Sequence, residues 1–199
     1  MIWLLDNGHG GIQDGKYLTS SPHKKSPILP DGSTLYEGDW NRKVVASILK
    51  HSKNLGLKAI NLTPELEDIN IDERARRANE YKGAFVLSIH MNGTDEFFQT
   101  EKRGITTFYY RHNEGRKYAW IFQDNISDII PNRGIFEKAF RLPLKSTNPC
   151  LLLECGFMNN LQDVEYLKSK EGINSLASQI IKSMMQINKQ INNENINIK

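Results

Sequence analysis

Ile2-Trp3-Leu4-Leu5-Asp6-Asn7-Gly8-His9-Gly10-Gly11, at the start of the chain, is an apolar run that ends in a histidine and two glycines. A short continuous apolar run bounded by glycine and polar residues is typical of a buried strand in a parallel sheet. Ligands bind to open α/β sheets at the carboxyl ends of the strands. The run therefore predicts a first strand that delivers His9 to a binding edge.

Two later runs have the same design. Ala84-Phe85-Val86-Leu87-Ser88-Ile89-His90-Met91-Asn92 contains a histidine near its end, and Cys150-Leu151-Leu152-Leu153-Glu154-Cys155-Gly156-Phe157 contains a glutamate. Because the carboxyl ends of parallel strands share one edge, we expect these residues to meet although they are far apart in sequence. The predicted set is His9, His90 and Glu154.

Segments with helical spacing alternate with strands, which predicts an α/β sandwich with a mainly parallel sheet. The remaining strands are expected over 57–62 and 105–110, and 12–36 is expected to be a long polar loop. A turn into an irregular segment is expected at 132–135. Helices are expected over 39–56, 72–83, 114–130, 161–168 and 172–190. On the last helix, an apolar stripe is expected to pack in the core: Leu176, Ile180, Ile181, Met184 and Ile187.

The length of 199 residues fits a single domain, and a tail over 191–199 is expected to fray because it lacks a coherent apolar face. A net charge of +3, without a block of basic residues interleaved with aromatic ones, argues against nucleic acid as a partner. No apolar stretch is long enough to span a membrane. The start of the chain has no basic region before its apolar run, so we expect no signal peptide and synthesis in the cytoplasm.

The two cysteines are expected to be free thiols, because Cys150 and Cys155 would lie about 16 Å apart in an extended strand, too far for a disulfide.

The residues at the strand ends suit metal-assisted hydrolysis. A catalytic zinc site commonly has three protein ligands, often two histidines and a glutamate, with an open position for water. His9 and His90 would supply the imidazoles, and Glu37, where the long loop enters the first helix, is the best-placed carboxylate. Glu154 would then be the general base.

Each of these features has an alternative interpretation. A lone histidine at a strand end is commonly structural, and Glu37 taken alone reads as a surface acid. The glycines from Gly8 to Gly11 could cradle a phosphate at a helix N-terminus. Cys155 could be a nucleophile, although Glu154 beside it would repel a thiolate. His23, in the long loop, could approach the site.

The chain resembles the zinc-dependent N-acetylmuramoyl-L-alanine amidases of bacterial cell-wall hydrolases and phage endolysins. Six blocks carry the resemblance in family order: Leu5 to Gly11, Glu37 with Asn41, Arg74 to Asn79, Ser88 to Asn92, Asn132 to Ile135, and Leu152 to Asn160.

The resemblance implies a six-stranded amidase catalytic domain over 1–190, with zinc held by His9, Glu37 and His90 and with Glu154 as catalytic acid/base. The choice of Glu37 depends on this resemblance. The implied reaction is hydrolysis of the amide between the lactyl group of N-acetylmuramic acid and L-alanine in peptidoglycan. Separately from the resemblance, we expect the chain to be a monomer.

The sequence also departs from the family. Asn7 stands where proline is common, which we expect to loosen the first turn. The segment 12–36 is longer than in compact members and is expected to line the substrate groove or to form a lid. Without a signal peptide, release through a holin or another route that bypasses the Sec system is expected. The rivals are a zinc peptidase that cuts within the stem peptide and a non-catalytic wall-binding module.

Overall fold

The computed structural model describes residues 1–19, 21, 23–94, 100–110 and 115–196. The strands in these residues are β1 (Ile2–Asn7), β2 (Ile12–Gln13), β3 (Lys16–Tyr17), β4 (Lys58–Asn61), β5 (Phe85–Asn92), β6 (Ile105–Tyr109), β7 (Asn132–Glu137) and β8 (Cys150–Phe157). The helices are α1 (Glu37–Asn54), α2 (Ile71–Asn79), α3 (Gly115–Ile126), α4 (Arg141–Lys145), α5 (Leu161–Leu167) and α6 (Lys170–Ile196).

One six-stranded sheet forms the centre of the described fold, in the order β4-β1-β5-β8-β6-β7. The first four of these strands are parallel to one another, as expected for apolar runs joined by helices. Strand β6 is antiparallel to β8 and parallel to β7. The prediction of a single α/β domain with a mainly parallel six-stranded sheet is therefore confirmed.

The two faces of the sheet carry different amounts of apolar packing. Trp3, Leu5 and Leu87 lie on the face that packs against α1, α3, α5 and α6 in the larger core. The predicted stripe of α6 is buried in this core. Leu4 and Val86 lie on the other face, where α2 and the short helix α4 form a smaller core. The side chains of the binding edge project from this second, less covered face.

Strand β7 corrects the sequence analysis, because Asn132-Arg133-Gly134-Ile135 was expected to be a turn. These residues begin an edge strand whose side chains are exposed or only half-buried, so no apolar alternation marks it. The five-residue helix α4 and the hairpin of β2 and β3 are likewise too short to leave a periodic signal.

Three further expectations concern the helices and cysteines. Helix α6 continues to Ile196 and so includes most of the segment expected to fray; fraying itself stays a prediction. Glu114, the expected start of the third helix, lies outside the described residues. Both cysteines are buried and free, as predicted. Over the described ranges, no helix has both the length and the hydropathy needed to cross a membrane.

Candidate metal centre and acid/base residue

The sheet face beneath α2 and α4 changes from apolar to polar along the three central strands. Alternate residues of a strand share a face. On this face, Asp6 follows apolar residues of β1, Ser88 and His90 follow those of β5, and Glu154 follows those of β8. The strand register places Asp6 beside Ser88 and His90 beside Glu154. His9 lies two residues beyond the end of β1. The structure thus brings the three strand-end residues to one side of one sheet.

Glu37 joins the two histidines from the first residue of α1. Its Oε1 atom lies 3.0 Å from Nδ1 of His90 and 3.4 Å from Nε2 of His9. The two imidazole rings meet edge to face, with centroids 5.1 Å apart. One ligand atom from each residue lies within 4.8 Å of the other two. His9, Glu37 and His90 therefore form a group that could hold a metal ion.

Glycines allow this close approach. A Cβ atom on Gly8 would lie 2.3 Å from Cε1 of the His90 ring, and one on Gly38 would lie 1.8 Å from the carbonyl oxygen of Gly10. Real Cβ atoms essentially never approach this closely, so a side chain at position 8 would displace the ring of His90, and one at position 38 would displace the backbone of Gly10.

Two side chains of α1 hold the loop after β1 in place. His9 has a φ of 65°, in the left-handed region that only a few non-glycine residues adopt. Arg42 donates from Nη1 to the carbonyl oxygen of His9 at 2.8 Å, and Asn41 donates from Nδ2 to that of Gly8 at 2.8 Å. These bonds to consecutive carbonyl groups hold His9 in its unusual backbone conformation.

The three residues of the cluster have the donors that a cation needs. Among the described atoms, Nε2 of His9 and Oε2 of Glu37 are buried without a hydrogen-bond partner. Burial alone would raise the pKa of Glu37, but its contacts with His9 and His90 and their charges hold the pKa below its usual range. Burial lowers the pKa of His90, although Glu37 opposes this. A carboxylate held ionised, with one nitrogen of each imidazole facing it, fits a bound metal ion.

Glu154 has the opposite electrostatic environment. Burial, and after it the negative charge of Glu37, raises the pKa of Glu154 to about 8, while Lys24 and Lys138 oppose the rise. Its Oε2 atom is buried and makes no hydrogen bond to the described part of the chain. Glu154 can therefore gain or release a proton near neutral pH, which is the property of a general acid or base.

A cavity of about 790 Å³ connects these groups. His9, His90 and Glu154 line it, and it extends to the N-terminal end of α2 and to α4. The long segment 12–36 contributes Lys24 to the wall, and Nζ of Lys24 lies 3.5 Å from Oε2 of Glu37. Part of this segment therefore lines the cavity beside the metal-ligand candidates.

Three alternatives find no support in this geometry. His23 is exposed and does not line the cavity. Cys155 packs in the larger core on the opposite face of the sheet, and burial raises its pKa well above the usual value. The two-residue strand β2 follows Gly11 directly, so this glycine-rich turn lacks the helix N-terminus that binds phosphate.

Asn7 also differs from its expected behaviour. Its side-chain amide donates to Oδ1 of Asn61 at 2.8 Å and to the carbonyl oxygen of Thr63 at 2.7 Å. Its backbone N–H donates to Oγ1 of Thr63 at 3.1 Å, a bond that proline could not make. Asn7 thus anchors the end of β1 instead of loosening the turn.

Three buried residues behind His90 were not identified as candidates from the sequence. Ser88 lies between Asp6 and His90, and Arg74 of α2 pairs with Asp6, with 2.6 Å between Nη1 and Oδ1. A signal was available for two of them. Asp6 and Ser88 are polar residues within apolar runs, and Ser88 precedes His90 by two positions, which puts both on one face of a strand.

Comparisons with known proteins identify a family and agree with the fold. A family model described as N-acetylmuramoyl-L-alanine amidase matches residues 4–186. The N-acetylmuramoyl-L-alanine amidase CwlM of Bacillus licheniformis is 31% identical over 181 residues, which are 87% of this chain and 63% of CwlM. The uncharacterized protein YqiI of Bacillus subtilis is 25% identical over 186 residues, 89% of this chain and 80% of that protein.

The fold has close structural counterparts. The solved structure of the N-acetylmuramoyl-L-alanine amidase AmiC2 of Nostoc punctiforme superposes with a TM-score of 0.80 at 24% identity, over 95% of this chain and 97% of that one. The chain spans less than two thirds of CwlM but nearly all of the AmiC2 chain. Because the family model covers almost the whole sequence, this chain belongs to the N-acetylmuramoyl-L-alanine amidase family.

Proposed function

We propose that the chain is a zinc-dependent N-acetylmuramoyl-L-alanine amidase. It would hydrolyse the amide between the lactyl group of N-acetylmuramic acid and L-alanine in peptidoglycan, and so degrade or remodel the cell wall. The observation that carries the proposal is the cluster of His9, Glu37 and His90, whose two histidines line one cavity together with Glu154. Family membership supports the choice of substrate.

Zinc suits the ligand set, and the family resemblance selects it among the transition metals that imidazole binds. Two imidazoles and one carboxylate are a common set for catalytic zinc, whereas calcium and magnesium take oxygen ligands. His9, Glu37 and His90 would hold the ion. When bound, zinc would polarise the amide carbonyl and make water a better nucleophile near neutral pH.

Glu154 would move the proton. In the hydrolysis, water adds to the carbonyl carbon, the bond from this carbon to nitrogen breaks, and the L-alanine nitrogen leaves as an amine. The Glu154 carboxylate would accept a proton from the attacking water and donate it to the leaving nitrogen. Its buried Oε2 supports this role, because no hydrogen bond from the described residues occupies that atom.

Product analysis on purified sacculi tests the reaction. Amide cleavage is expected to release new amino groups of L-alanine without new reducing sugar ends. Mass spectrometry of the fragments separates this reaction from cleavage within the stem peptide. Reducing ends without free L-alanine amino groups, or fragments cut between stem-peptide residues, would contradict the proposal.

Glu154→Gln tests the division of roles within the site. We expect the variant to bind zinc as the wild type does and to lose most activity, by about 10²-fold or more, because the amide cannot accept a proton. Glu171→Gln, a matched change at an exposed position of α6, should leave activity unchanged. Loss of zinc from Glu154→Gln, measured by metal analysis, would instead identify Glu154 as a ligand.

A further inference from the structure

The hydroxyl group of Ser88 lies between a carboxylate and an imidazole. Its Oγ atom is 2.5 Å from Oδ2 of Asp6 and 3.1 Å from Nε2 of His90. Asp6 and Ser88 are each only 1% exposed, so these contacts are shielded from bulk solvent. A serine hydroxyl has a single hydrogen. Ser88 can therefore donate this hydrogen either to Asp6 or to His90, but not to both.

The charge of Arg74 determines whether the Ser88 hydroxyl donates its hydrogen to Asp6 or to His90. The guanidinium of Arg74 donates from Nη1 to Oδ1 of Asp6 at 2.6 Å and does not lose its own proton in proteins. Burial would raise the pKa of Asp6, but the charge of Arg74 and the hydrogen bond from Ser88 hold that pKa below its usual value. An ionised carboxylate only accepts hydrogen bonds, so Ser88 donates to Asp6. The short contact fits a charge-assisted O–H···O⁻ bond.

The direction of this bond determines where His90 carries its hydrogen. With its hydrogen committed to Asp6, the Ser88 oxygen presents a lone pair to His90 and accepts from Nε2–H. In a neutral imidazole the other nitrogen, Nδ1, is then bare. Nδ1 faces Oε1 of Glu37 at 3.0 Å, so two acceptors point at each other. Such a pair is stable only with a cation between them, either a proton or a metal ion.

We propose that Arg74, Asp6 and Ser88 form a positioning relay that keeps a hydrogen on Nε2 of His90 and leaves Nδ1 as its metal-binding nitrogen. The metal-binding part rests on the proposed function, whereas the hydrogen assignment does not. Outer partners of this kind fix the tautomer and orientation of metal-binding histidines.

The second histidine is expected to use the other nitrogen. Nε2 of His9 faces Glu37, and Nδ1 of His9 points toward Asp68, with 4.0 Å between Nδ1 and Oδ2. Nη2 of Arg74 also donates to Oδ1 of Asp68 at 3.2 Å. One arginine therefore orders a carboxylate on the outer side of each histidine. The relay predicts a mixed pair of ligand nitrogens, Nδ1 from His90 and Nε2 from His9.

Long-range ¹H–¹⁵N correlation spectra of the full chain with ¹⁵N-labelled histidine test the assignment, first without metal and then with zinc. We expect Nε2 of His90 to be protonated in both states, with zinc shifting its Nδ1 signal and the Nε2 signal of His9. A bare Nε2 on His90, or a zinc shift at that nitrogen, would overturn the relay. Zinc that shifts neither histidine would overturn the metal-binding part.

Variants of Ser88 separate the relay from simple packing. Ser88→Ala removes the acceptor and is expected to weaken zinc binding by about 10- to 100-fold and to allow a hydrogen on Nδ1 of His90. Ser88→Thr keeps a hydroxyl and should retain the Nε2–H signal and most of the zinc affinity. Equal loss in both variants, or unchanged affinity in Ser88→Ala, would contradict the relay.

If a variant of Ser88 does not fold, the wild-type spectra still show which nitrogen of His90 carries the hydrogen and so still test the relay. They also separate the relay from the amidase activity. A protein that shows Nε2–H on His90 and zinc at Nδ1, but releases no L-alanine amino groups from sacculi, would retain the relay and contradict the proposed function.

Discussion

Glu37 and Glu154 are both buried, yet their surroundings move their pKa values in opposite directions. Burial raises the pKa of each, but for Glu37 the contacts with His9 and His90 reverse the effect. Within the described part of the chain no comparable contact reaches Glu154, and the charge of Glu37 adds to the rise in its pKa, to about 8. Pairs of acids separated in this way commonly divide the tasks of charge and proton transfer. One carboxylate is thus suited to hold a cation and the other to carry a proton.

Gly8→Ala tests how tightly the first loop fits against the site. The new Cβ would overlap the ring of His90, so we expect a loss of about 1–3 kcal/mol in the free energy of unfolding and weaker zinc binding. Denaturant unfolding and zinc titration measure the two effects. Gly93→Ala is the matched control, because its Cβ would make only an ordinary contact of 3.5 Å with Met158. Unchanged zinc affinity in Gly8→Ala would show that the ring of His90 can move aside without cost.

Strand β1 and helix α2 are joined by a buried ion pair as well as by apolar packing. Arg74 reaches from α2 to Asp6 and to the carbonyl oxygen of Asn7, with 2.6 Å for each contact. Removing one member of a buried pair leaves an uncompensated charge, which typically costs about 3–5 kcal/mol. The pair therefore fixes the position of α2, which forms one wall of the cavity.

The pH dependence of stability tests this pair. Because the pKa of Asp6 is lower in the folded than in the unfolded chain, its contribution is present above the unfolded value, about 3.9, and is lost as pH falls through the folded value. We expect urea unfolding from pH 6 downward to show a smaller pH dependence for Asp6→Asn than for the wild type. Asp128→Asn, at an exposed position, is the control. If the free energy of unfolding changes with pH equally in the wild type and in Asp6→Asn, the pKa of Asp6 is not lowered in the folded chain.

At the scale of the whole molecule, the candidate ligands come from separate parts of the fold. His9 follows β1, Glu37 begins α1, and His90 lies in β5. A bound ion would join a strand end, a helix and a central strand. Ions that bind only the folded state add RT ln(1 + [L]/Kd) to its stability, about 4 kcal/mol at 1,000 times Kd.

Metal removal should therefore lower the stability of the wild type. We expect chelation to reduce the melting temperature by several degrees and added zinc to restore it, because the ligands are not assembled in the unfolded chain. Calorimetry with and without chelator measures the shift. His9→Ala should show little response to zinc. A wild type with the same melting temperature in both conditions would contradict a specific site.

The sequence predicted the parts of the fold whose burial is strong and regular. Apolar runs identified β1, β5 and β8, because both faces of these strands are covered for most of their length. Strand β7 was missed because an exposed edge has no apolar pattern. At the site, strand ends led to His9, His90 and Glu154, whereas Glu37 required the family resemblance, since its position depends on how α1 packs.

The position of β8 in the sheet has a consequence for the nascent chain. This strand is the last one along the described sequence, yet it lies between β5 and β6. A ribosome therefore releases His9, Glu37 and His90 well before the strand that carries Glu154. The residues proposed to hold the metal can meet while translation continues, but Glu154, the residue proposed to transfer the proton, joins them only when the centre of the sheet closes. Translation order thus makes assembly of the candidate site a late event, after every other strand of the described sheet has been synthesised.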